Sequence, residues 1–276
     1  METFFSFLEK RVDDSSSLLC VGLDPHISDL PSPTAASALT FCLNLVKQTS
    51  RYAAAFKPNA AFFEVFGAEG WVALKQVIEA INEESDRMGS RIPIILDAKR
   101  GDISSTAEAY AQSAYESLGA DCITLSPYLG KDSIEPFLGH KQKGVFLLCK
   151  TSNKGSGDLQ DVTLSNGDPM YIHVAKLAAT WNEKNNIGLV VGATHIEVMK
   201  QVRAAAPSLW FLAPGVGAQG GELESTLQAG LRADRKGILL PISRAISRAE
   251  KPGNAAAEIR DEILRIKREL KKQETL

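Results

Sequence analysis

The chain has 276 residues, 44% of them hydrophobic and 23% charged, a composition that can bury a sizeable core and is not that of a disordered protein. Its 31 Lys+Arg against 33 Asp+Glu leave a net charge of -2, which argues against a protein held mainly by nucleic-acid phosphates or anionic lipid, so neither is an expected partner. No apolar run approaches a membrane span and Met1–Lys10 lacks the pattern of a secretory signal, so a cytoplasmic location is the expectation.

From the N-terminus onward the chain repeats one pattern: a short apolar, β-branched run, a polar turn, then an amphipathic helix. The runs are Leu18–Leu23, Ala54–Lys57, Ile92–Lys99, Cys122–Ser126, Gly144–Lys150, Ile187–Gly192, Leu209–Pro214 and Gly237–Ile242. Continuous rather than alternating apolar runs suit parallel strands covered on both faces. The predicted helices include Thr34–Arg51, Glu69–Arg87, Thr106–Leu118, Met170–Glu183 and Ile196–Ala205. In the first of these, Leu39, Cys42, Leu43 and Val46 are expected on the buried face. Ala255–Leu276 reads as a closing helix with Ile259, Ile263, Ile266 and Leu270 inward. The polar stretch Lys154–Asp168 has too few apolar residues for a strand or helix and reads as a lid or surface loop. Eight strands in this alternation favour an α/β protein of the (β/α)8 TIM barrel type, spanning residues 1–276 as one domain; an open doubly wound sheet is the alternative.

Cysteine and histidine add little. Cys20, Cys42, Cys122 and Cys149 are scattered, without the spacing of a disulfide framework or a zinc site, so no metal ligand set is predicted. His26 follows a strand end, where an ordinary loop histidine is the simpler reading.

A barrel places its chemistry at the C-terminal ends of its strands. Those ends carry Asp24, Lys57-Pro58-Asn59, Asp97-Ala98-Lys99-Arg100-Gly101-Asp102, Ser126-Pro127-Tyr128, Lys150-Thr151-Ser152-Asn153, Pro214-Gly215-Val216-Gly217 and Ser243-Arg244. Ions avoid buried strand ends unless they are paired, so Lys57 and Lys99 with Asp24, Asp97 and Asp102 on one rim describe either a structural ion cluster or an active site. Asp97 and Lys99, two apart on a strand, are expected to share the lumen side, with Gly101 allowing the turn to Asp102. Carboxylates around Lys99 favour a charged ammonium, a proton donor, over a neutral amine.

The Asp97-x-Lys99-x-x-Asp102 array with Lys57 and Asp24 resembles that of the orotidine 5'-phosphate decarboxylases. The match continues through Phe56–Glu64, Asp97–Ile103, Ser126–Gly130, Lys150–Asn153, Leu212–Gly221 and Ser243-Arg244, and is closest to the longer-loop (type 2) branch of the family. The resemblance implies decarboxylation of orotidine 5'-monophosphate to UMP and carbon dioxide in pyrimidine synthesis, without a cofactor or metal. It assigns Lys99 as proton donor to C6, Asp97 and Asp102 as its flanking carboxylates, and Lys57 as a ribose contact paired with the aspartates. Asp24 and Asn59 are expected to hold the sugar, and Thr151 and Ser152 the base edge. Pro214, Gln219, Ser243 and Arg244 are expected around the phosphate; many relatives have glycine where Ser243 stands. A homodimer is implied, with Asp102 and Thr106 reaching the neighbouring site. Nothing after the eighth run suggests a fused phosphoribosyltransferase. The alternatives are a metal-dependent decarboxylase of a keto-sugar phosphate, disfavoured by Lys57-Pro58-Asn59, a Schiff-base aldolase using Lys99 or Lys150, and a nucleotide-binding barrel without catalysis.

Overall fold

The computed structural model describes residues 2–216 and 220–273. Eight parallel strands form: β1 (Leu19–Leu23), β2 (Ala55–Pro58), β3 (Ile95–Arg100), β4 (Cys122–Leu125), β5 (Gly144–Lys150), β6 (Ile187–Val191), β7 (Phe211–Leu212) and β8 (Ile238–Ile242). Each lies within or one residue beyond a predicted run. Their lateral order is β2-β1-β8-β7-β6-β5-β4-β3, and β2 meets β3 through the parallel bridges Phe56↔Ile94 and Asn59↔Asp97. The sheet therefore returns on itself as the (β/α)8 barrel, and the open sheet is excluded.

The predicted helices form as Ala35–Thr49, Gly67–Met88, Ser104–Gln112, Met170–Trp181, Ile196–Ala205 and Pro252–Gln273, with Ser113–Ser117 continuing the third as a wider turn. Helix Ala35–Thr49 is rotated from expectation. Its buried face runs through Ala35, Ala38, Cys42, Leu45, Val46 and Thr49, and Leu43 faces solvent. A row that includes Ala35 and Ala38 lets the helix lie close to the barrel wall, a face that the spacing of large apolar residues does not mark. In the last described helix, Ile263, Ile266 and Leu270 are buried as expected, with Ile259 packed beside them.

An additional helix, Phe4–Ser15, starts at Thr3, whose hydroxyl accepts from Ser6 N. It closes the end of the barrel opposite the charged mouth. Phe4 fills the space over Gly144, where a Cβ would come within 2.2 Å of the ring. Phe5 stacks on Trp210 at 6.2 Å and meets Phe146 edge-on at 5.6 Å. Trp210, itself buried, donates from Nε1 to Glu9.

Stretch Lys154–Asp168 is not wholly irregular, as it carries the single-turn helix Gly157–Gln160 and a bridge from Thr163 to Pro169. Side-chain bonds rather than apolar burial hold this segment. Lys150 Nζ lies 2.5 Å from Asp161 Oδ1, and Gln160 bonds Thr151 through the Thr151 amide and hydroxyl.

Candidate active site

The mouth of the barrel is organised around Asp97. Burial alone would favour its neutral acid, but Lys57 and Lys99 together hold its carboxyl well below the usual carboxylate range. Lys57 Nζ donates to Oδ2 at 2.8 Å and Lys99 Nζ to Oδ1 at 2.7 Å, so one carboxylate bridges two ammonium groups. For Lys57, burial pulls towards the neutral amine, yet the charges of Asp97 and Asp24 outweigh it and the pKa is raised. Both groups are therefore ions at neutral pH. The Lys99 side chain is 51% exposed against 11% for Asp97, which puts the second ammonium where the mouth opens.

Asp97 and Lys99 meet, but not by simple strand alternation. The pairing of β3 with β4 shifts register between Leu96 and Arg100, and Lys99 sits at φ +48°, in the left-handed region. This bulge re-aims the Lys99 side chain. Gly101 acts through close approach instead of positive φ: a Cβ there would stand 3.1 Å from the Ser126 carbonyl oxygen.

Asp102, expected to reach the neighbouring site, does not join the array of its own chain. Its carboxylate accepts from the Ile103 amide at 2.9 Å, and among the described residues no ion pair joins it to Lys99. The array within one chain is thus Lys57–Asp97–Lys99. Asp102 lies on an exposed rim with Ile103, Thr106, Tyr128 and Leu129.

Around this array the strand ends converge. Asp24, after β1, is close enough to act on Lys57 electrostatically, and its buried Oδ1 has no hydrogen-bond partner among the described residues. Gly22 lets β1 and β8 approach, since a Cβ there would lie 2.8 Å from Ser243 Cβ and 3.1 Å from Asp24 Oδ2. Asn59 uses its side-chain oxygen locally, accepting from Ala61 N at 3.2 Å to open the turn Ala61–Glu64. Of the two hydroxyls after β5, Thr151 is engaged with Gln160 and with Asn153 at 2.6 Å, whereas Ser152 is exposed. Ser152 stands beside Gly192 and Gly215, the latter at φ +94°, so the ends of β5, β6 and β7 share one wall. Pro214 belongs to the same wall. Arg244 is exposed after β8 and makes no ion pair among the described residues. Gln219 and Gly217 lie outside the described residues.

Some participants escaped the sequence reading. Thr124, in an apolar strand, hydrogen-bonds Asp97 and is fully buried; a lone hydroxyl residue within Cys122–Leu125 was the available signal. Lys150 ends buried against Asp161, which takes it out of the role of a free amine nucleophile. His26 packs edge-on against Phe62 at 4.3 Å, as a loop histidine. The four cysteines are buried, free thiols, and burial pushes Cys20 and Cys149 up to about 12. No helix of the described residues is long and apolar enough to cross a membrane.

Comparison with known proteins bears on the family and the fold. Residues 17–259 match the model of the family described as "Orotidine 5'-phosphate decarboxylase / HUMPS family". A protein of Roseiflexus castenholzii named orotidine 5'-phosphate decarboxylase is 49% identical over 261 residues, 93% of each chain. One of the same name from Halorubrum lacusprofundi is 46% identical, covering 84% of this chain and 81% of its own. Among solved structures, the Leishmania donovani OMP decarboxylase superposes with a TM-score of 0.87 at 50% identity, over 96% of this chain and 99% of that one. The Toxoplasma gondii structure titled as a putative orotidine-monophosphate decarboxylase gives 0.92 at 43% identity, over 98% of each.

Proposed function

The chain belongs to the orotidine 5'-phosphate decarboxylase family, a family of carboxy-lyases in pyrimidine biosynthesis, and from that premise we propose how its own residues perform the reaction. The observation that carries the reading is the pair of ammonium groups bridged by Asp97 at the barrel mouth.

Decarboxylation of orotidine 5'-monophosphate breaks the bond between C6 and its carboxylate. The electron pair stays on C6 as carbon dioxide leaves, and no ring carbonyl is placed to delocalise it. Lys99, charged and held at the mouth, faces the developing carbanion, stabilises it, and then gives up a proton to C6; solvent recharges the amine. Asp97 sets the ammonium's position and lies beside the substrate carboxylate. Two like charges about 4 Å apart repel by roughly 4 kcal/mol at an effective dielectric near 20. That is small against the ~20 kcal/mol of barrier lowering that proficient enzymes reach. Stabilisation of the transition state by the fixed ammonium therefore carries most of the effect, with ground-state repulsion secondary.

The remaining mouth residues bind. Asp24 Oδ1, without a hydrogen-bond partner among the described residues, supports a role as acceptor for a ribose hydroxyl, with Lys57 on the other side of the sugar and the Asn59 side-chain amide nearby. Ser152, being exposed while Thr151 is occupied, is the better candidate for the base edge. Arg244 supplies a guanidinium for the phosphate, helped by the Pro214–Gly215 wall, by Ser243 and by Gln219. Asp102, which makes no ion pair with its own Lys99 among the described residues, completes the array of a second copy, and Thr106 follows it across a homodimer interface. The exposed Ile103, Tyr128 and Leu129 beside them suit such a contact. The assay is loss of orotidine 5'-monophosphate absorbance with and without chelator. Turnover unaffected by chelator supports the reading, and no turnover overturns it.

A further inference from the structure

We propose that Thr124 of β4 is a positioning residue that fixes Lys99 and Asp97 in their reactive arrangement through a single hydroxyl; the inference rests on the decarboxylase reading above. Thr124 is 1% exposed. Its Oγ1 donates to Asp97 Oδ1 at 2.9 Å and accepts from the amides of Ala98 at 3.1 Å and Lys99 at 3.0 Å. One donor and two lone pairs are the full capacity of a hydroxyl, and all are used.

These contacts fall where the strand ladder fails. Backbone pairing of β3 with β4 runs Ile95↔Cys122 and Leu96↔Ile123, then resumes at Arg100↔Leu125. Residues 97–99 bulge out between these points, and Lys99 enters the left-handed region, which a side chain disfavours. The amides of the bulge lose their ladder partners, and the Thr124 hydroxyl takes two of them. The same oxygen gives its proton to the Asp97 carboxylate atom that receives Lys99 Nζ. Thr124 thus ties the main chain carrying the lysine to the carboxylate steering it. Without the hydroxyl, two part-buried amides and one carboxylate site lose their partner, and the bulge relaxes towards another path. An ammonium displaced by even a fraction of an ångström loses its fit to a charge that exists only in the transition state, while sugar and phosphate contacts are untouched.

Thr124→Val keeps the shape and deletes the hydroxyl; Thr124→Ser keeps the hydroxyl. Steady-state decarboxylation, UMP binding by calorimetry and thermal unfolding are measured on wild type and both variants. The expected result for Thr124→Val is a kcat about 10–100-fold lower, with KM and the UMP Kd moving by less than about threefold. Thr124→Ser is expected to retain kcat within about threefold. A Thr124→Val enzyme with wild-type kcat overturns the proposal. So does a well-folded Thr124→Ser whose kcat falls tenfold or more, an outcome that decides the matter even where Thr124→Val does not fold. Parallel loss of kcat, UMP binding and folded protein in both variants overturns it in favour of packing alone. A wild-type enzyme inactive on orotidine 5'-monophosphate removes the decarboxylase reading itself, which separates the two failures.

Discussion

Lys150, at the end of β5, is held at 2.5 Å by Asp161, eleven residues further on, although the lysine side chain is only 3% exposed and the aspartate 52%. Removing the aspartate leaves a buried ammonium without its counter-ion. Asp161→Ala is expected to destabilise the protein by about 1–3 kcal/mol, less than for a fully buried pair because Asp161 is half in water. The segment from Lys154 to Asp168 is expected to lose amide protection before the rest of the barrel. Urea unfolding and hydrogen exchange check both, and an unchanged exchange pattern in that segment would refute the tether.

Lys99→Ala removes the proposed proton donor and its field together. A fall in kcat of at least about 10⁴-fold is expected, since general acid catalysis and electrostatic stabilisation each contribute two or more powers of ten. The side chain is half exposed, so thermal unfolding should shift little. Turnover near wild type would contradict the assigned chemistry.

Asp97 and Lys57 make the array insensitive to pH across a wide range. The folded pKa of Asp97 is depressed, so its contribution to stability is fully present above the ordinary carboxylate pKa, about 4, and is lost as pH falls towards the folded value. That of Lys57 is raised, so its contribution is full below about pH 10 and declines only as pH rises through the folded value. Asp97→Asn strands Lys57 in the interior and is expected to cost about 3–5 kcal/mol at pH 7. Chemical unfolding at stepped pH should show the gap between wild type and Asp97→Asn constant from about pH 6 to 9 and narrowing below about pH 4.

A site completed by the partner's Asp102 has a stoichiometric signature. Lys99→Ala and Asp102→Ala chains, each nearly inactive, are mixed in equal amounts and allowed to exchange. Half the dimers are then hybrid, each with one intact site and one doubly altered, so about a quarter of wild-type activity should return. No recovery after demonstrated exchange would place Asp102 outside the neighbouring site.

Gly144→Ala drives a Cβ into the Phe4 ring at the closed end. A loss of about 1–3 kcal/mol, read as a Tm lower by about 2–10 °C, is expected, with kcat unchanged. A change in kcat at constant Tm would show the two ends of the barrel to be coupled.

Strand positions and the charged mouth were legible in the sequence because buried parallel strands need unbroken apolar runs and ions at their ends stand out. The bulge at Lys99 was not, since alternation assigns the same side to residues two apart whether or not the ladder holds. Thr124 gave a faint signal, a hydroxyl among Cys122, Ile123 and Leu125, but its partner is set by tertiary register. Helix Phe4–Ser15 carried its cue in Thr3 and the phenylalanines, yet it precedes the first strand and falls outside the β-then-α repeat. The Lys150–Asp161 pair depends on loop geometry that spacing does not encode. The inward row of Ala35–Thr49 used alanines that a count of large apolar residues passes over.

The stacking of Phe5 on Trp210, with the indole nitrogen bonded to Glu9, has a practical consequence. An indole shielded in this way emits from an apolar environment, and water reaches it only if the first helix lifts away. With Trp71 and Trp181 replaced by phenylalanine, the colour of its fluorescence becomes an intrinsic gauge of that undocking, readable while decarboxylation at the opposite pole is followed in the same cuvette.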